Sequence, residues 1–271
     1  MNDSLHLPNS KNTCHREADG NATYRRTLGC IYQQTMKIIT WNCNMAFRKK
    51  AEFILSENPD ILIVPECEQP EKLTFKRPNP KPRDIFWFGE NPNKGLGVFS
   101  FNDFKINPIP VHNEDFRYVV PLNIENSETK ILLFAVWAQK PNNHDNYGIQ
   151  VWNAINHYKN LLQYDNVMLI GDFNSNTIWD LPNRVANHSN IVKFLDDNNI
   201  NSAYHYYYNQ KQGEEKNPTL YLQRKENKPY HIDYCFASKS FLKRLTDVRI
   251  GTYQDWIKYS DHTPLIINFE K

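Results

Sequence analysis

Cysteine is scarce and scattered. The five residues, at positions 14, 30, 43, 67 and 235, are odd in number, widely spaced and form no C-x-x-C pair. That pattern argues against a disulfide framework and against a thiolate zinc site, and the five read as reduced thiols, mostly small buried hydrophobes. Long apolar runs are missing as well. None approaches the roughly 18 residues needed to cross a bilayer, and the N-terminus lacks the apolar core of a signal peptide. The expectation is a cytoplasmic protein without a membrane span. There is no strong charge of either sign: 32 Lys+Arg against 30 Asp+Glu leave +2. A domain with so little net charge has no general attraction for polyanions, so any such site must be local. No repeat of fixed period is visible.

What remains is the composition of a soluble globular protein, 40% hydrophobic, 13% aromatic and 23% charged over 271 residues, a length that one core of β architecture can occupy. Residues 1–35 carry no helical or alternating period and are rich in Asn, Ser, Thr and Arg, which predicts a disordered extension. Patterned sequence begins at Met36 and continues to residue 271. The strand Lys37–Asn42 is followed by Phe47, Ala51, Ile54 and Leu55 at helical spacing, then by Asn58-Pro59-Asp60 and the buried strand Ile61–Val64. A proline-studded loop over 69–83 precedes β runs at 85–88, 98–101, 118–124 and 131–137. Val151, Ile155, Tyr158 and Leu162 mark a second helix, followed by a strand at 167–170, a helix over about 189–197, and strands near 219–222, 232–237 and 265–269. Too few helices are present to cover a parallel sheet on both faces. Two β-sheets packed face to face, with helices outside, satisfy the pattern.

Polar clusters sit where these strands end: Asn42 with Asn44, Glu66, Asp172 with Asn174, Asp233, and Asp261 with His262. Each alone is ordinary, because acids and amides cap and turn chains everywhere. Together they matter, since strands with buried middles deliver their ends to a common rim. In an extended segment residues two apart share a face, so Asp172 and Asn174 point together while Phe173 turns into the core. Gly171 before them permits a close approach of backbone or substrate.

The segments ITWNCN, IVPECE, GLGVFS, LIGDFNSN, HIDYCF and SDHTPL, in this order from Met36 to about Phe269, resemble the endonuclease/exonuclease/phosphatase superfamily, which includes AP endonucleases, exonuclease III and pancreatic-type DNase. The resemblance implies an α+β fold, a four-layered αββα sandwich of two mainly antiparallel sheets, and hydrolysis of phosphoesters with Mg2+ or Mn2+. Carried over position by position, it makes Glu66 a metal ligand with Asn44 beside it and Asp261 next to the metal, oxygen donors that suit a hard cation. Asp172 resembles the residue that orients or deprotonates the attacking water. Asn174 hydrogen-bonds the phosphate, and His262 stabilises the charged transition state with its ring held by Asp233. Asn42 orients the carboxylates. The implied function is a metal-dependent phosphodiesterase acting as a monomer on nucleic acid, a DNA endonuclease or exonuclease. The alternatives are a phosphoesterase for lipid head groups, inositol phosphates or small nucleotides, and an inactive binding module.

Two positions depart from the pattern. Asn44 stands where AP endonucleases often carry Asp, and Trp137 stands where relatives place a Tyr or His against the scissile phosphate. An indole donates one N–H and is no acid, which leaves Gln139 or a water to protonate the leaving group. Four further features have two readings each. Trp137 is a core aromatic or a site residue, and His231 is structural or contacts phosphate. The segment 72–83, with five cations and Phe75, is a solvated loop or a backbone-tracking one. Tyr204-His-Tyr-Tyr-Tyr208 is a strand with one buried face, the favoured reading, or a base-stacking surface. The polar, basic stretch within Thr219–Tyr230 argues against abasic-site specificity.

Overall fold

Strands buried along most of their length build two sheets. The computed structural model describes residues 35–75, 80–140 and 146–271. The expected N-terminal extension, with Cys14 and Cys30, and Lys76 to Asn79 of the basic loop lie outside the described residues. The first sheet runs in the order β13 (Leu245–Ile250), β14 (Leu265–Glu270), β1 (Thr35–Thr40), β2 (Ile61–Cys67), β4 (Lys94–Ser100) and β3 (Asp84–Asn91). The second runs β5 (Lys105–Pro108), β6 (Val119–Glu125), β7 (Lys130–Trp137), β8 (Val167–Asp172), β12 (Asp233–Ser238) and β9 (Ile200–Ser202). A short ribbon pairs β10 (Leu220–Tyr221) with β11 (Pro229–Tyr230). Each six-stranded sheet holds one parallel pair, β1 with β2 and β7 with β8, and is antiparallel elsewhere.

The period of two decides which residues face which layer. In β8, Met168 and Ile170 join the core between the sheets, together with Ile38 and Ile63 of the first sheet. Val167 and Leu169 turn outward beneath α2 (Gly148–His157) and α3 (His188–Asp197), which lower Val151, Ile155, Ile191 and Leu195 onto them. On the other side, Ile39, Leu62 and Val64 are covered by Phe47 and by α1 (Ala51–Leu55), with Trp256 of α6 (Tyr253–Trp256) closing the end. The result is the four-layered αββα sandwich that the sequence implied. Each fully buried Leu, Ile or Val contributes about 1.5–3 kcal/mol by leaving water, and strands buried on both faces explain the unbroken aliphatic runs. No helix among the described residues is long and apolar enough to cross a membrane.

Local chemistry overrules several sequence expectations. The tyrosine-rich segment forms a helix, α4 (Ala203–Tyr208), instead of a strand. Ser202 caps its N-terminus by accepting from His205 N, and Asn209 ends it in the left-handed region at φ 51°. Tyr204 is buried while Tyr206, Tyr207 and Tyr208 are exposed, so capping wins over β-propensity. The first predicted helix is broken at Lys50 into a 3-10 turn, Phe47–Lys49, and α1. The strand near 219–222 shrinks to Leu220–Tyr221. Further elements carried too little pattern to be read, among them β13, α6 and α5 (Lys239–Leu242).

Both parallel pairs bring their carboxyl ends to one end of the sandwich. Antiparallel pairing then sets Asp233 opposite Asp172, and the pairing of Thr40 with Leu265 delivers the residues before β14 to the same place. Gly171 is the hinge of this end. Its φ is +145°, and an added Cβ would lie 1.9 Å from the Val136 carbonyl oxygen of the neighbouring strand. Gly171→Ala is therefore expected to lose about 1–3 kcal/mol of stability, the range for an overpacked core; urea unfolding with an unchanged midpoint would contradict this account of the hinge.

Candidate active site

Asp172, at the tip of β8, has no solvent exposure. Its Oδ2 accepts from Asn42 Nδ2 at 3.0 Å and from Asn174 Nδ2 at 3.0 Å, and its Oδ1 accepts from Asn174 N at 2.9 Å. The Asn42 amide cannot flip without loss, because its Oδ1 also accepts from Asn44 N at 3.0 Å. Asn42 belongs to the first sheet and Asp172 to the second, so this hydrogen bond crosses the seam between them. His262 lies beside the pair, with Nδ1 2.8 Å from Asp233 Oδ2 and Nε2 4.0 Å from Asp172 Oδ2. The second distance is too long for a hydrogen bond but short enough for strong charge coupling in a dry site.

Electrostatics follow from this packing. Burial, and then the Asp233 carboxylate, push Asp172 up to about 7, against the opposing effects of His262, Asn42 and Asn174. For His262 burial alone would favour the neutral ring, yet the charge and hydrogen bond of Asp233, with Asp172 and Asp261, outweigh it and raise the ring to about 10. Between these two values the site holds a carboxylate beside an imidazolium, an acceptor for a water proton next to a donor for a developing anion.

Asn44 and Glu66 reach the same end by backbone conformations that side chains seldom adopt. Asn44, Met45 and Ala46 have φ of 50°, 63° and 51°, and Glu66 has φ 62°. Glu66 sits where the register of β2 against β4 slips between Pro65 and Cys67, a bulge that re-aims its side chain. Such residues cost on the order of 1–3 kcal/mol each and persist where the surroundings hold them. Asn44 Nδ2 donates to Asp261 Oδ1 at 2.7 Å, and Lys94 Nζ is 3.3 Å from Glu66 Oε1. Glu68, two residues on, is buried and paired with Arg48, which leaves Glu66 as the partly exposed acid of the segment.

The residues assigned from the sequence thus form two linked groups. Asp172, Asp233 and His262 offer ligand atoms within 4.8 Å of one another; Asn44, bonded to Asp261 and to Asn42, makes the second, and Glu66 adjoins it at Lys50, which feels the charges of both Asp261 and Glu66. The donors in both are carboxylates and amides plus one imidazole. Cys43, between Asn42 and Asn44, is held as a thiol by burial, pushed up to about 12. A hard divalent cation fits this donor set better than a thiophilic one. Asp233 Oδ1 is buried without a hydrogen-bond partner, a further sign that the cluster is built to meet another group.

Asn174 differs from expectation in one respect. It is left-handed, at φ 48°, and its Nδ2 is engaged by both Asp172 Oδ2 and Ala138 O at 3.0 and 3.1 Å. It orients Asp172 in this state, and donation to a phosphate requires release of one of those acceptors. Phe173 is fully buried, as the alternation predicted. Trp137 is 3% exposed and packs on Tyr118. His231 takes its structural reading: it is 3% exposed, its Nδ1 meets Asn217 O at 2.8 Å, and burial lowers it to about 4. Gln139 is tied to α2 through its backbone N–H, which donates to Gln150 Oε1.

Sequence reasoning missed the supports. Ser260 Oγ donates to Asn42 O at 2.8 Å and accepts from His262 N at 3.1 Å. Thr219 Oγ1 accepts from both Ile232 N and Asp233 N at 3.0 Å. Ser260 stands beside the Asp261-His262 pair and was findable; nothing in sequence marks Thr219. Next to Asn174 opens a cavity of about 730 Å3 lined by Trp179, Arg184, Leu220 and Ile232 among others. Trp179 is 42% exposed, and its ring packs against Tyr230 at 5.0 Å.

A family model described as the Endonuclease/Exonuclease/phosphatase family matches residues 39–262. Among solved structures, a 3'-5' exonuclease (NExo) from Neisseria meningitidis is similar with a TM-score of 0.62 at 18% identity, over 87% of this chain and 100% of that one. The AP endonuclease LMAP from Leishmania major gives 0.65 at 12% identity over 88% of each chain. An AP endonuclease from Archaeoglobus fulgidus gives 0.60 at 17% identity, over 87% of this chain and 100% of that one. At such identities the likeness shows the fold. No curated protein matches the sequence.

The raised pKa of His262 has a defined sign. Its stabilising contribution is fully present below the ordinary value of 6.5 and is lost as pH rises through about 10. Nitrogen NMR of the ring is expected to show imidazolium still at pH 8, and Asp233→Asn to lower the midpoint by about 2 units or more. A wild-type ring that titrates near 6.5 would contradict the assignment.

Proposed function

The chain belongs to the Endonuclease/Exonuclease/phosphatase family, and from that premise we propose that it is a divalent-metal-dependent phosphodiesterase that hydrolyses nucleic acid, DNA foremost. The observation that carries the reading is the buried Asp172, Asp233 and His262 cluster locked across the seam by Asn42. Nothing in sandwich packing requires two carboxylates and an imidazolium at one dry point, and their arrangement suits in-line attack on a phosphoester.

In this reading Glu66, with Asn44 and Asp261, would hold Mg2+ or Mn2+. When bound, such an ion supplies charge stabilisation at the phosphate and acidifies water. Asp172, pinned by three hydrogen bonds, orients the attacking water and takes its proton. His262 presents Nε2–H to the phosphate, while Asp233 fixes the ring through Nδ1 and keeps it charged. Asn42 and Ser260 hold these groups in register, and Asn174 follows the phosphate once its contact to Ala138 is exchanged.

Support for a nucleic-acid substrate comes from the wall beside Asn174. The exposed Trp179 face, backed by Tyr230 and with Arg184 on the same cavity, offers a platform on which a base can stack beside a phosphate-seeking cation. The same cavity, at about 730 Å3, also lies in the size range of small-molecule sites. That supports the second reading, a small phosphoester such as an inositol phosphate or nucleotide.

Purified chain with Mg2+ or Mn2+ is to be offered plain and abasic duplex, single strands, RNA, inositol phosphates and sphingomyelin. Turnover of DNA is expected, and Asp172→Asn or His262→Ala is expected to slow it by about 100-fold or more. Trp179→Ala is expected to raise KM for DNA by about tenfold, the value of one lost stacking contact. Cleavage of small or lipid substrates alone would overturn the nuclease reading, and metal-dependent binding without turnover would overturn the enzymatic one.

A further inference from the structure

Lys94 is a cation at the mouth of the site that the roles assigned so far leave unused. It opens β4 at a tight hairpin in which it pairs with Asn91. The hairpin is fixed from two sides: Gln69 N donates to Pro92 O at 3.1 Å, and Gly95 fits only because it lacks a Cβ, which would lie 2.4 Å from the Trp87 ring. From this rigid base the Lys94 side chain reaches two partners. Its Nζ is 3.3 Å from Glu66 Oε1 and 5.3 Å from the centroid of the Trp137 ring. Glu66 belongs to the first sheet and Trp137 to the second, where it is the register partner of Asp172. The ammonium therefore bridges the mouth between the carboxylate assigned to the metal and the strand that carries the water-orienting acid.

Two neighbouring cations already have partners. His262 is held by Asp233, and Lys50 Nζ donates to Cys43 O and Asn44 O at 2.5 and 3.2 Å. In the first sheet β1 and β2 lie between β14 and β4, so β14, which begins three residues after His262, and β4, which Lys94 opens, stand roughly 14 Å apart at three strand spacings. The two charges flank the ends of β1 and β2, where Asn42 and Glu66 face the mouth. Trp137 can serve as no acid, but its π face is a good seat for an ammonium.

We propose that Lys94 is a further catalytic residue, whose ammonium, seated on the Trp137 indole, contacts the scissile phosphate on the flank opposite His262 and stabilises the negative charge that builds there. With Glu66 committed to a divalent ion, Lys94 loses its carboxylate partner, keeps the ring, and turns on its flexible stem toward the phosphate. The indole thus does by holding a cation what it cannot do by donating a proton. This inference rests on the phosphodiesterase reading above.

The test uses the full chain and two readouts. Calorimetric titration with Mn2+ alone is expected to show tighter binding to Lys94→Met than to wild type, by up to about fivefold, because a competing charge at Glu66 is gone. At saturating Mn2+ the same variant is expected to cleave DNA about 100-fold more slowly, the scale of one lost transition-state contact, mainly in kcat. Lys94→Arg, which restores the charge, is expected to recover most of that rate. A Lys94→Met variant with wild-type kcat at saturating Mn2+ reduces Lys94 to a counter-ion of Glu66 and overturns the proposal. A variant whose Mn2+ affinity falls together with its rate overturns it too, since Lys94 would then act only by shaping the ion site. A wild-type chain inactive on every phosphodiester overturns the phosphodiesterase reading and this inference with it.

Discussion

Two carboxylates share a space closed to solvent at the seam between the sheets, and the rest of the site is organised by that constraint. Asp172 and Asp233 are both without exposure and sit opposite each other in register. Like charges so placed are costly unless a cation and hydrogen-bond donors intervene. His262 supplies the cation, and Asn42 and the Asn174 backbone and side chain supply donors to Asp172. Removing one member leaves the others uncompensated, so the cluster is expected to behave as a unit and not as a sum of separate residues.

The architecture makes this unit possible. Each sheet contributes a parallel pair whose carboxyl ends open at the same edge, while antiparallel neighbours return Asp233 and His262 to it. The aliphatic middles of the strands hold the sheets together through the inter-sheet core, and a rigid core permits strain at the edge. Three successive left-handed residues from Asn44 to Ala46, and a left-handed Glu66 at a bulge, are conformations that a loosely packed end would relax. Here they direct an amide and an acid into the mouth.

Much of this was legible in the sequence because it is written in period and order. The unbroken aliphatic run Val167–Ile170 announced a strand built for the core, and the ordered segments from ITWNCN to SDHTPL announced which strand ends meet. What stayed hidden depends on contacts between segments remote in sequence. Thr219 accepts two backbone N–H groups 13 and 14 residues away, and Lys94 finds Glu66 and Trp137 across two sheets; neither leaves a local pattern. The tyrosine-rich segment misled for a different reason: its β-propensity is real, but Ser202 and Asn209 cap a helix around it. The backbone of Asn174 left the extended geometry that a period of two implies, yet its amide still reached Asp172, by an Asx-type turn.

The central claim is that Asp172, Asp233 and His262 form a proton-holding unit that faces the phosphate, with the divalent ion beside them on Glu66. Crystals of the chain with Mn2+ and a phosphorothioate oligonucleotide, measured at the manganese absorption edge, test it most directly. The account predicts an anomalous peak at the Glu66 carboxylate and a phosphorus atom between His262 and Asp172. A manganese ion seated instead among Asp172, Asp233 and His262, with the phosphate elsewhere, would contradict it.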